Sequence, residues 1–135
     1  MCDCIFCKIV KGEAPCYKIY EDEYAMAFLD ISKDCDGHTL VIPKSHRENI
    51  FDCEEELLGK VMAAVKKVAE HYKNECGYGG VNILNASDKS AQQSVFHLHF
   101  HVLPRKLEDG VDAFPVLNGA KNELADMHKI LTMVK

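Results

Sequence analysis

Three histidines stand at alternate positions in the segment Val95-Phe96-His97-Leu98-His99-Phe100-His101-Val102-Leu103. In an extended strand, successive side chains point to opposite faces with a rise of about 3.3 Å per residue. His97, His99 and His101 therefore share one face, while Phe96, Leu98, Phe100 and Val102 share the other. An incidental polar face is the weakest reading, because histidine is uncommon and three in register are hard to reach by accident. Two chemistries remain. His-x-His on a strand can bind one zinc ion. A neutral imidazole can also act as a nucleophile, with neighbours that orient it and meet the charge it creates. Spacing alone does not choose between them.

The flanks of the row suit phosphoryl chemistry. Imidazole has a pKa near 6.5, so its uncharged, nucleophilic form dominates at neutral pH. A phosphoryl centre asks for donors around its equatorial oxygens. Gln93 and Ser94 precede the row, and Asn85 ends the strand before it, so all three are placed to supply such donors. Far upstream, Cys4-x-x-Cys7 has the spacing of half a zinc site. Taken alone, that spacing is shared by thiols with no metal.

A frame must bring these residues together. Tyr17–Tyr20, Tyr24–Leu29 and Thr39–Pro43 are rich in aromatic and branched residues between polar turns, and read as strands. From Glu54 to Glu75 the spacing becomes helical, with Leu57, Val61, Ala64, Val65, Val68 and Tyr72 on one stripe. Asp52 is positioned to cap that helix and Gly77 to end it. Val81–Asn85 reads as a strand, Val95–Leu103 as a longer one stopped by Pro104, and Lys121–Val134 as a terminal helix. Its Leu124, Met127, Ile130 or Leu131, and Val134 are expected to face inward. The expected architecture is one domain over residues 1–135 of the α+β class. It has an antiparallel five-stranded meander sheet, one central helix packed on it, and a C-terminal helix.

Bulk properties bound the function. A chain of 135 residues fits one ordinary domain. A formal charge of −5 argues against a partner held by nucleic-acid phosphates. No apolar run is long enough to span a bilayer, so no membrane partner is expected. The first residues lack the basic and apolar regions of a secretory signal, which points to the cytoplasm. Seven cysteines in that compartment are expected to be reduced thiols or metal ligands. Cys16, Cys35, Cys53 and Cys76 are isolated and read as small apolar filler, and Cys2 as loose terminus.

The sequence resembles the histidine-triad (HIT) family of nucleotide hydrolases and transferases, in its bacterial-type branch with an N-terminal Cys-x-x-Cys. The family pattern of three alternate histidines followed by apolar residues stands here as His97-Leu98-His99-Phe100-His101-Val102-Leu103. Cys4-Ile5-Phe6-Cys7-Lys8-Ile9, Phe28-Leu29-Asp30-Ile31-Ser32 and Gly37-His38-Thr39-Leu40-Val41-Ile42-Pro43-Lys44 resemble its earlier blocks, in order.

The resemblance implies that His99 attacks the α-phosphate of a purine nucleotide and forms a covalent nucleotidyl-imidazole, which water then releases. It implies that His101 contacts the phosphate and assists the leaving group. The His97 carbonyl would fix the tautomer of His99, and His38 would support the row. Asp30 would bind the ribose hydroxyls, with Ile5, Phe6, Ile9, Phe28 and Ile31 as the wall for the base. Asn85, Gln93, Ser94 and Val95 would lie on the phosphate side.

A structural zinc would be held by Cys4, Cys7, His46 and His97, and the molecule would be a homodimer. The substrate would be an adenosine 5′-phosphoramidate or another AMP–X compound. A dinucleoside polyphosphate is the alternative, and a nucleotide-binding regulatory module with little turnover is the alternative of another class. Two departures bear on this. Gln92 stands where the family commonly has glycine. Leu103-Pro104-Arg105-Lys106 replaces the Gly-Gly that follows the row in the phosphoramidase-like branch.

Overall fold

A computed structural model describes residues 3–134; Cys2 lies outside them. The elements, in chain order, are α1 Ile5–Val10, β1 Lys18–Glu21, β2 Ala25–Leu29, β3 Thr39–Pro43, α2 Glu55–Asn74, β4 Gly80–Leu84, β5 Phe100–Arg105 and α3 Leu124–Leu131. The five strands form one antiparallel sheet in the order β1-β2-β3-β5-β4. The first three run as a meander. α2 then carries the chain to the far edge, and β5 returns between β3 and β4.

The two faces of the sheet follow from alternation. Ala25 and Ala27 of β2, Val41 of β3, and Phe100 and Val102 of β5 pack under Val61, Ala64, Val65, Val68 and Tyr72 of α2. Those are the helix residues of the apolar stripe, and the two alanines let the helix axis come close. Met26, Phe28, Leu40 and Ile42 point the other way and gather Phe6 and Ile9 of α1 around them. The short α1 was not foreseen. At six residues it is too short to be helical alone, so the sheet must hold it.

Three expectations need correction. The long strand begins at Phe100, not Val95, and it runs through Pro104 to Arg105. Pro104 is tolerated because β3 starts only at Thr39, opposite Val102, so no β3 residue pairs with it. Its ring instead packs against Gly37, where a Cβ would come within 2.7 Å of Pro104 Cγ and φ is +78°. Upstream, Val95–His97 bends away from the sheet, and the Leu98 amide donates to the carbonyl of Arg47 at 2.7 Å. Leu98 still joins the α2 core while Phe96 does not.

Asp52 does not cap α2. Its carboxylate accepts from the amides of Glu48 and Asn49, closing a separate turn, and the helix starts after Glu54 with Glu55 and Glu56 in its first turn. Finally, the apolar residues of α3 do not face inward. Leu124 is 88% exposed and Leu131 67%, because the chain leaves the sheet after Arg105. No helix among the described residues is long and apolar enough to cross a membrane.

Candidate functional site

The face of the sheet away from α2 carries two clusters joined by one stretch of backbone. The first lies at the start of α1. Cys4 stands just before the helix and Cys7 one turn in, so both thiols project to the same side. There they meet His46, just after β3, and His97, at the bend before β5. Cys4 Sγ lies 3.3 Å from His97 Nδ1, Cys7 Sγ 3.3 Å from His46 Nδ1 and 3.6 Å from His97 Nδ1, and the two Nδ1 atoms are 3.2 Å apart.

A tetrahedral zinc with sulfur and nitrogen ligands has ligand-to-ligand edges of about 3.3–3.8 Å, so the four donors fit that ion closely. The orientation of His97 fits as well. Its Nε2–H donates to the carbonyl of Pro43 at 2.8 Å, which leaves the Nδ1 lone pair facing the sulfurs. All four ligand atoms lie within 4.8 Å of one another.

The second cluster is the rest of the row. The His97 carbonyl can only accept, so His99 Nδ1 at 2.7 Å must carry its proton and donate. His99 Nε2 therefore keeps its lone pair. Asn85 Nδ2 donates to the His99 carbonyl at 2.9 Å and fixes the backbone that carries the ring. Phe6 stands edge-on to His99, ring centres 5.4 Å apart, and His101 lies at 5.0 Å on the opposite flank. Burial lowers the pKa of His99. Burial, with His99 and His38 alongside, takes His101 down to about 4. Burial likewise takes His97 to about 4 in the metal-free chain. Uncharged imidazoles at neutral pH follow.

His101 Nδ1 lies 2.8 Å from His38 Nε2, and His38 Nδ1 donates to Asp34 Oδ1 at 2.7 Å. Asp30 approaches His38 Nε2, the nitrogen that faces His101, at 3.8 Å with one oxygen. Its other oxygen accepts from the Ser32 amide. Two cavities flank the row. One, of 450 Å³, is apolar and lined by Ile5, Phe6, Ile9, Phe28, Ile31 and Val95, with Asp30 at its margin. The other, of 570 Å³, opens beyond His101 and His38 and reaches Asn85, Gln92 and the segment Gly110–Ala113.

Most residues singled out in the sequence converge here, though not all point at a cavity. Gln93 is buried, with its side chain spent on backbone and on the Asn49 amide, which donates to its oxygen at 3.4 Å. Its amide nitrogen donates to the carbonyls of Glu48 and Val95, and its oxygen accepts from the Asp88 amide. Ser94 is exposed beside it. Asn85 divides its amide between His99 and Ser87. Sequence reasoning missed Asp34, an ordinary loop carboxylate until the loop folds it onto His38. It also missed Leu40 and Cys16 in the apolar cavity. Leu40 was within reach, since alternation in β3 puts it on the face of Ile42.

A five-stranded antiparallel sheet with a central helix, and an imidazole row on its other face, define the class of histidine-triad proteins. The HIT domain model matches residues 11–108, and the chain belongs to the HIT family. The protein hit of Bacillus subtilis is 50% identical over 103 residues, covering 76% of this chain and 71% of that protein. An adenosine 5′-monophosphoramidase of Saccharomyces cerevisiae is 37% identical over 130 residues, covering 95% of this chain and 80% of the relative. Among solved structures, a zinc-bound histidine triad family protein from Mycobacterium smegmatis superposes with a TM-score of 0.77 at 39% identity. That match covers 82% of this chain and 81% of the other.

Proposed function

We propose that this protein is a nucleotidyl hydrolase that cleaves at the α-phosphate of a purine nucleotide, an adenosine 5′-phosphoramidate or related AMP–X, through a covalent intermediate on His99. One observation carries the reading. His99 Nδ1–H is tied to the His97 carbonyl at 2.7 Å, so a buried imidazole offers Nε2 as its only lone pair. Attack by Nε2 forms a P–N bond as the P–X bond breaks, and X departs with a proton delivered by His101. Water then attacks phosphorus and gives one proton back to His101, the P–N bond breaks, and AMP leaves with His99 restored.

The apolar cavity takes the base, and Asp30 at its margin takes the ribose hydroxyls. Ser94 and the backbone near Val95 lie beside the phosphate, while Gln93 positions that loop. The cavity beyond His101 takes X. Asp34 and Asp112 line it, and no lysine or arginine among the described residues does. A polyphosphate chain would meet anionic charge there, which favours AMP–X over the dinucleoside polyphosphate. A regulatory module without turnover would not need the tautomer lock on His99.

A zinc ion bound by Cys4, Cys7, His46 and His97 is structural in this reading, since four protein ligands leave no open position. Thiolate ligands suit the reducing cytoplasm. The molecule is a homodimer through the β4 edge, where Ile83 is 44% exposed and Leu84 40%, together with the apolar C-terminal segment.

Acid-quenched reaction with radiolabelled adenosine 5′-phosphoramidate tests the covalent step. Label should remain on wild-type protein at His99, and His99→Ala should lose both label and turnover, at least about 10³-fold. Turnover surviving in His99→Ala would overturn the proposal.

A further inference from the structure

We infer that Asp34 is a positioning residue for proton delivery, acting through His38 and His101 on the leaving group. The inference rests on the hydrolase reading above and extends it to a residue outside the histidine pattern. Asp34 Oδ1, His38 and His101 form a continuous chain with links of 2.7 and 2.8 Å. The chain ends at the wall of the cavity beyond His101. A carboxylate only accepts, so His38 Nδ1 carries a proton in every state. That restricts what the second link can do.

When His38 takes up a further proton, Nε2–H donates to His101 Nδ1, and His101 must then hold its own proton on Nε2, the nitrogen remaining to face the site. In that state His101 donates to the departing atom of X. As His101 Nε2–H passes to X, His101 Nδ1 accepts the proton of His38 Nε2. His38 returns to its neutral form, still bonded to Asp34 through Nδ1–H. One proton has moved from His38 to X as the bond from phosphorus to X breaks and the bond to His99 forms. Asp34 itself never becomes protonated. Its charge stabilises the imidazolium that supplies the proton.

The other groups facing His38 are Asp30 at 3.8 Å, His99 beyond His101, and Cys35, whose carbonyl accepts from the His38 amide. Asp30 faces the second nitrogen and cannot set which proton His38 keeps. Only Asp34 touches Nδ1 among the described residues. The side chain of Asp34 is 61% exposed, so solvent screens its charge and the effect is modest.

The test compares wild type with Asp34→Asn, and with Asp34→Glu as the conservative variant. Substrates are AMP derivatives whose leaving groups range from a basic alkylamine to an acidic nitrophenol. Asp34→Asn should lower kcat/KM about 5-fold for the alkylamine, which needs a proton, and distinctly less for the nitrophenol, which does not. The alkaline limb of the alkylamine pH profile should move to lower pH, because His38 loses its partner charge. Asp34→Glu should restore part of both.

Equal losses on both leaving groups, or an unmoved alkaline limb, would overturn the inference. NMR gives a second readout that needs no turnover: the His38 Nδ1–H resonance, shifted downfield by its bond to Asp34, should move upfield in Asp34→Asn, and an unmoved resonance would also sink the idea. Failure of the hydrolase reading looks different. In that case wild type releases no AMP from any of these compounds, while the His38 Nδ1–H resonance still responds to Asp34.

Discussion

At the scale of single residues, the site depends on which nitrogen of each imidazole carries a proton. A carbonyl decides it for His97 and His99, and a carboxylate decides it for His38. Burial then keeps His99 and His101 uncharged. Their folded pKa values lie below that of free imidazole, about 6.5 in the unfolded chain. As pH falls from about 6.5 toward 4, the unfolded chain binds more protons than the folded one, and stability is lost. The urea midpoint should therefore hold above pH 7 and decline between 6.5 and 4, before most carboxylates titrate. A midpoint flat to pH 4.5 would show that the row is not held neutral.

At the scale of elements, the bend between β4 and β5 determines how the row is presented. The turn at Lys89–Ala91 ends on Gln92 in the left-handed region, φ +68°, preceded by Asp88 at φ +76°. The family commonly has glycine where Gln92 stands, and the dihedral supplies a physical reason, since a Cβ is disfavoured there. Gln92→Gly should therefore be neutral or stabilising by about 0.5–1 kcal/mol, read from urea unfolding. A loss of stability would mean that the Gln92 side chain holds the turn.

At the scale of the whole molecule, α1 is common to both clusters. It carries Cys4 and Cys7 toward one side and Phe6 and Ile9 toward the apolar cavity. The proposed zinc would tie this short helix to the sheet, so removing it with a chelator should lower Tm, and Cys4→Ser should abolish bound zinc in elemental analysis. Purified protein without zinc would refute the assignment. The proposed dimer predicts a light-scattering mass twice the 15.2 kDa of one chain. Leu84→Glu on the β4 edge should return it to a single chain. A wild-type mass of one chain would remove that proposal.

Local pattern was enough for α2, whose apolar stripe from Val61 to Tyr72 is the buried face, and for β3, found at Thr39–Pro43 as expected. It was also enough to set His99 and His101 opposite Phe100 and Val102, because alternation is a property of the backbone itself. Other features depended on neighbours distant in sequence. The histidine row bends at His97 because β3 ends at Pro43 beside it. Pro104 sits inside a strand because Gly37 makes room, and α3 keeps its apolar residues exposed because the chain leaves the sheet after Arg105. The meeting of Cys4 and Cys7 with His46 and His97, and of Asp34 with His38 and His101, spans separations that periodicity does not encode. Periodicity tells a residue which way to face; only the packed sheet determines what it will find there.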